Sequence, residues 1–254
     1  MTVTPFKLAV SAFLLGPTIY FAQLLIRALT SDVSLGEGFK SILSNAWATS
    51  ALVDYVTAMP FVFAYVTARS KTTLAAVATC SACFFLGNVV TVPLFVFYIL
   101  VSPGTSMIDA LLPLANPLES HAGPSVNGSP YIKPVLVTFT SVTLIFYTAI
   151  CIRAIASGDP GFSFILNDVW SKVTFVDVLV GIQVVVLFVI VKEGALGRRW
   201  GATVLWVLGL LLLGNGVTCL YVLWLVSNVS PLAGGSGVLD VFLGKAETRG
   251  FVEI

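Results

Sequence analysis

Residues 38–54 read G-F-K-S-I-L-S-N-A-W-A-T-S-A-L-V-D, and residues 161–177 read G-F-S-F-I-L-N-D-V-W-S-K-V-T-F-V-D. At one constant offset Gly38/Gly161, Phe39/Phe162, Ile42/Ile165, Leu43/Leu166, Trp47/Trp170, Val53/Val176 and Asp54/Asp177 are identical. Such agreement without a gap marks an internal repeat, and a repeat sets the architecture before any single residue does. The match extends outward. Ile26-Arg27-Ala28 answers Ile152-Arg153-Ala154, and L-G-N-V-V-T from Leu86 answers L-G-N-G-V-T from Leu213.

Around this repeat the chain is overwhelmingly apolar. Of its 254 residues 57% are hydrophobic and 10% charged, a balance that a soluble domain does not have. Apolar runs of about twenty residues predict spans near 6–27, 45–68, 74–101, 134–157, 170–192 and 203–228. The expected fold is therefore all-α, a polytopic membrane helix bundle of six (at most seven) transmembrane helices. Residues 1–101 form the first three-helix repeat, 102–133 a connecting loop or lid, 134–228 the second repeat and 229–254 a C-terminal tail. Three crossings per half would bring the second half in from the opposite side, which makes the repeats inverted. On that layout the Lys and Arg residues divide seven to six between the two sides, and orientation stays open. Asn127-Gly128-Ser129 in the loop is a glycosylation tripeptide, and Met107 to Leu118 is apolar enough to lie along the interface.

A net charge of +1 supplies no basic patch for nucleic acid. The four cysteines fall inside predicted spans and read as helix-contact residues. No metal-binding cluster, phosphate loop or Ser-His-Asp set is present in the pattern, so neither metal nor cofactor is expected. The chemistry must come from a short list. Asp54 and Asp177 each follow their tryptophan by two helical turns, about 10 Å deeper in the slab. Intramembrane carboxylates are functional by default, and an acid kept neutral in an apolar site is a proton donor. A purely structural carboxylate, bridging through Arg27 or Arg153, is the competing reading.

Trp47, Trp170, Asn88, Asn215, Asn45 and Asp168 complete the candidate site as substrate-binding residues. Asn88 and Asn215 sit at equivalent mid-span positions, where an amide needs a helix, a water or a ligand. Asn45 and Asp168 also read as helix N-caps opening apolar spans. Gly87 and Gly214 read as points of close helix approach. Lys192-Glu193 reads as an interfacial pair. Pro60 and Pro93 have no proline counterparts in the second half, which counts against the paired helix breaks of transporters.

The unit W-x6-D followed later by L-G-N-x-V-T resembles an uncharacterised three-helix membrane family of bacteria and plants, over residues 38–101 and 161–228. That resemblance implies a fold and no activity. In chain size, number of spans, short loops and buried acids the chain also resembles the small integral-membrane terpene cyclases of fungal meroterpenoid pathways, of the ascofuranone and macrophorin type. The second resemblance implies a cofactor-independent enzyme that protonates the olefin or epoxide of a lipophilic prenylated substrate. It would sit in the endoplasmic reticulum of a eukaryotic cell. No motif carries a catalytic residue over from that family. The alternative expectation is a proton-coupled transporter of a small solute.

Overall fold

The computed structural model describes residues 3–70, 72–102, 106–112, 131–195, 200–228 and 242. Among these, 88% are helical and none is in a strand. Four helices are long and apolar enough to cross a membrane: Pro5–Leu29, Ala46–Arg69, Ile132–Ser157 and Val169–Gly194. The Asn127 tripeptide and the tail other than Phe242 lie outside the described residues.

Local chemistry opens most of these helices. Thr4 accepts from the Lys7 amide and Pro5 stands in the first turn of α1 (Pro5–Leu29), where a missing N–H costs nothing. Ser34 and Glu37 form a capping box on the short α2 (Leu35–Ser44). Asn45 caps α3 (Ala46–Thr57) by accepting from the amides of Trp47 and Ala48. Pro60 starts α4 (Met59–Arg69), which continues α3 as one long apolar segment. In the second half α8 (Ile132–Ser157) is followed by the short α9 (Phe162–Asn167) and by α10 (Val169–Ala195). Asp168 accepts from the Ser171 amide at 2.7 Å and so caps α10.

The two segments expected as spans three and six are not single helices. Each is a pair of antiparallel half-helices, α5 (Thr73–Leu86) with α6 (Asn88–Val101), and α11 (Trp200–Leu213) with α12 (Asn215–Ser227). The reversal shows in what touches what. Trp206, before the second turn, meets Tyr221 and Trp224 after it, with ring centroids 5.1 and 5.9 Å apart. Lys7, at the start of α1, donates to the Ser102 carbonyl at the end of α6 at 2.8 Å. Arg69, closing α4, lies 4.0 Å over the ring of Tyr98. The end of α6 has thus returned to the end of the bundle from which α5 set out. At 14 residues, about 21 Å, α5 and α6 are also each too short for a slab of about 30 Å.

The reversal brings each third segment back to the end from which it set out, and with that goes the reason to expect inversion. α3 and α10 start side by side: Ala46 donates to Asp159 at 2.9 Å, and Ser41 to Asp168 at 2.9 Å. Both then run the same way, so that Phe61 meets Phe188 at 4.9 Å near their other ends. We call that second end, which also holds Lys7, Arg69 and Ser102, the near end; the end with Asn45 and Asp168 is the far end. Both hairpins enter from the near end. The two halves therefore run parallel, and the expectation of inverted repeats is corrected.

The duplicated glycines and tryptophans hold the halves together crosswise. A Cβ on Gly38 would run into the indole of Trp170, and one on Gly161 would meet Trp47 at 3.4 Å. Of the stretch expected as a lid, α7 (Met107–Leu111) is described and is tied to the bundle: the Tyr65 hydroxyl donates to the Leu111 carbonyl at 3.0 Å and Arg69 to the Ala110 carbonyl at 2.7 Å. Lys192 and Glu193 are fully buried rather than interfacial, with Tyr221 donating to Glu193 at 2.8 Å. The outward faces of α5 and α11 carry Leu74, Phe85, Leu205 and Leu212, each more than 70% exposed, which suits lipid and not water.

Gly38→Ala should lower thermal stability by about 1–3 kcal/mol through overpacking against Trp170. Gly36→Ala, also within α2 but meeting nothing within 4 Å, should hold it or raise it by up to about 1 kcal/mol, as read by unfolding in detergent.

Candidate functional site

A helical hairpin whose tip lies inside an apolar slab leaves orphan amides on one strand and orphan carbonyls on the other. Each such group costs several kcal/mol in hydrocarbon if unpaired. Here both sets are satisfied by side chains from elsewhere. The Asn88 amide, opening α6, donates to Asp177 Oδ1 at 3.1 Å. The Asn215 amide, opening α12, donates to Asp54 Oδ1 at 2.7 Å. Each aspartate thus caps the hairpin of the opposite half, where the positive end of a helix dipole favours a carboxylate. On the carbonyl side, the Tyr55 hydroxyl donates to Cys83 and Phe84 at 2.9 and 2.7 Å, and the Tyr147 hydroxyl to Leu213 at 2.9 Å.

The turn itself needs glycine. Gly87 and Gly214 have φ of 64° and 66° with ψ near −150°, a region closed to side chains. A Cβ there would also meet the capping carboxylate, at 2.8 Å from Asp177 Oδ2 and 2.7 Å from Asp54 Oδ2. These glycines are the paired helix breaks, and the prolines are not. The earlier reading of both as mere close-approach positions is corrected. Arg27 and Arg153, considered as partners for the aspartates, are exposed at the far end instead.

The two tips are not equivalent in detail. Asn88 also gives its side-chain amide to the Asp177 backbone carbonyl at 2.8 Å and to Oδ1 at 3.0 Å. Asn215 turns its side chain away from Asp54: Oδ1 accepts from Thr218 at 2.9 Å, and Nδ2 has no hydrogen-bond partner among the described residues. Tyr147 takes the vacated place, within hydrogen-bonding reach of the Asp54 carboxyl. Gly216 makes room for it, since a Cβ there would lie 2.6 Å from the Tyr147 ring.

Beside Asp54 lies a groove of about 800 Å³, overwhelmingly apolar. Trp47, Tyr147, Phe162 and Phe175 line it, and it runs out past the exposed Leu211, Leu212 and Leu213. Of the residues singled out from the sequence, it brings together Asp54 and Trp47. Trp170 is packed under Gly38, and its indole donates to Val33 at 3.4 Å. Asn45 and Asp168 are helix caps at the far end, and neither lines the groove. Partial burial alone would raise Asp168, but hydrogen bonds from Ser171, Ser41 and Trp170 outweigh it and hold the carboxyl below its ordinary value. Asn88 and Asn215 meet at a central void of about 10 Å³, no larger than one water.

Tyr147 and Cys151 line the groove and were not singled out from sequence. A signal for Tyr147 exists: L-G-N-V-V-T changes to L-G-N-G-V-T in the second half, and Gly216 is the residue that admits the ring. No protein-family model, no curated protein and no solved structure matches the chain.

Gly214→Ala should destabilise the protein by about 1–3 kcal/mol from backbone strain, before any clash with Asp54 is counted. Asp177→Ala, which strands the Asn88 backbone amide and leaves its side-chain amide on the residue-177 carbonyl, should cost about 1–3 kcal/mol for the buried donor left unpaired. Asp54→Asn keeps an oxygen for the Asn215 amide and should cost less, measured as unfolding temperature in the same detergent.

Proposed function

We propose that this chain is a membrane protein of four spans and two re-entrant helical hairpins, arranged as parallel repeats. We further propose that it is an acid-type cyclase of a lipophilic prenylated substrate, with Asp54 as the proton donor. The observation that supports this most is the asymmetry between the carboxyl groups. Asp54 faces a large aromatic-lined apolar groove, whereas Asp177 is held by three hydrogen bonds from Asn88 and does not line that groove.

The groove suits a chain that arrives sideways from lipid, because its rim is made of exposed leucines. In the reaction the O–H bond of the Asp54 acid breaks, and the proton goes to an epoxide oxygen or a terminal olefin carbon. Successive π-bonds close on the resulting cation. Trp47, Phe162 and Phe175 offer ring faces that attract it, and exclusion of water prevents its capture. Loss of a proton from the last cation back to the Asp54 carboxylate restores the acid. The net change is an isomerisation, needing no co-reactant. Asp177 is then a structural cap and not a second acid.

The paired breaks at Gly87 and Gly214 favour the transporter reading more than the sequence does. Two features weigh against it. The positive helix ends that would hold an anionic solute are already filled by Asp54 and Asp177. The space between the tips is about 10 Å³, with Phe61, Tyr65, Phe95 and Phe188 fully buried on its near side. That leaves no route for a solute.

The parallel layout also redistributes the charges. Among the described residues Lys7, Arg69, Lys133 and Lys192 fall at the near end, against Arg27, Lys40, Arg153 and Lys172 at the far end. Four against four assigns neither end to the cytoplasm. The groove runs from Asp54 toward Trp47, Gly161 and Phe162, and so opens toward the far end.

Membranes carrying the protein should convert a prenylated phenol or its epoxide to a cyclised isomer. Asp54→Asn should reduce turnover by at least about a hundredfold, the usual worth of a general acid. Undiminished turnover in that variant sinks the assignment. Reporters inserted after Leu112 and after Asn228, both at the near end, should read the same side of the membrane.

A further inference from the structure

A proton donor leaves a carboxylate behind, and in an apolar site the cost of that charge decides the barrier. At Asp54 the charge would find the Asn215 backbone amide, while the one proton of the Tyr147 hydroxyl is given to the Leu213 carbonyl. A second donor lies close by and is idle. Asn215 is 1% exposed, and its Nδ2 has no partner among the described residues, in a protein where such a buried donor costs about 1–3 kcal/mol. The other tip shows what that amide can do. At the matching position Asn88 turns its Nδ2 onto Asp177, bonding both the backbone carbonyl and Oδ1. Rotation about the Asn215 side chain, with the Tyr147 hydroxyl giving way, separates the two arrangements, because the backbone amide of each asparagine already binds its aspartate.

We infer that Asn215 is a positioning residue for the cyclisation proposed above, its amide held back while Asp54 keeps its proton and turned onto the carboxylate as the proton leaves. The two tips then represent the two arrangements of one device. Asp177 with Asn88 is the closed one, with the amide on the carboxylate. Asp54 with Asn215 is the open one, with the amide parked against Thr218 and facing the central void. The inference rests on the cyclase reading, since it needs a carboxylate created during turnover. It adds what that reading lacks, a donor that engages as the carboxylate charge develops and so favours the transition state over the ground state.

The side chain can be removed without removing the cap, because any residue at 215 supplies the backbone amide to Asp54. Asn215→Ala should therefore fold, with an unfolding temperature at or above that of the parent, while Asn88→Ala should lose stability. In the cyclisation assay Asn215→Ala should lower kcat by about 10²–10³-fold, the usual effect of deleting one oxyanion donor, with KM unchanged. Asn215→Gln, which keeps an amide on a longer arm, should recover part of the loss. Turnover within about twofold of the parent in Asn215→Ala, with Asp54→Asn inactive, overturns this inference and leaves the cyclase reading standing. A fall in kcat matched by a lower unfolding temperature and no recovery in Asn215→Gln marks a packing role and also overturns it. Active Asp54→Asn, or no cyclisation by the parent, removes the cyclase reading and the inference together.

Discussion

An unpaired backbone amide has nowhere to go inside a hydrocarbon slab, and the architecture of this protein turns on meeting that constraint at two hairpin tips. A continuous helix meets it internally. A helix that stops and reverses at Gly87 or Gly214 exposes a set of donors and a set of acceptors at the same spot. Asp177 and Asp54 take the donors, and Tyr55 and Tyr147 supply the acceptors' missing protons. The caps come from the opposite half in both cases, so neither half can close its own hairpin. Gly38 against Trp170 and Gly161 against Trp47 follow the same crosswise rule. The duplication is thus cooperative: each copy of the motif is completed by the other.

Because the aspartates are structural at both tips, an intramembrane carboxylate here needs no function to account for it. What sets Asp54 apart is its surroundings. The amide that locks Asp177 is withdrawn at the second tip, and a tyrosine admitted by Gly216 stands in its place. A groove of about 800 Å³ reaches the carboxyl from the lipid-facing side. The two tyrosines themselves are not repeat partners. At the Asp54/Asp177 offset Tyr55 corresponds to Val178, and at the Arg27/Arg153 offset Tyr147 corresponds to Phe21. One scaffold has therefore met the same backbone demand by two routes, and only one of those routes leaves an acid facing open apolar space.

Much of this was legible in the chain as written. The repeat, the helical class, the positions of Asp54 and Asp177, and the capping roles of Asn45 and Asp168 follow from residue type and spacing. The third segment of each half was misread for a definite reason. Residues 74–101 and 203–228 are as apolar and as long as true spans, and hydropathy is the same for a helix that crosses and one that turns back. The signal lay in Gly87-Asn88 and Gly214-Asn215, and not in Pro60 and Pro93. Once those segments turn back, each half returns to the end at which it starts and the halves run the same way.

Sequence by itself determined that the chain says one thing twice, that it suits a bilayer, and which polar side chains are carried deep. These are properties of composition and period, and they survive any arrangement of the helices. Tertiary structure alone decided that Asp54 meets Asn215 and Asp177 meets Asn88, that both hairpins enter from one end, and that Asp54 alone of the two lines the groove. Those facts depend on which segment ends lie side by side. A glycine at φ near +65° reverses a helix only where a carboxylate from another helix waits for the amides it frees, and no local pattern in the chain records that partner.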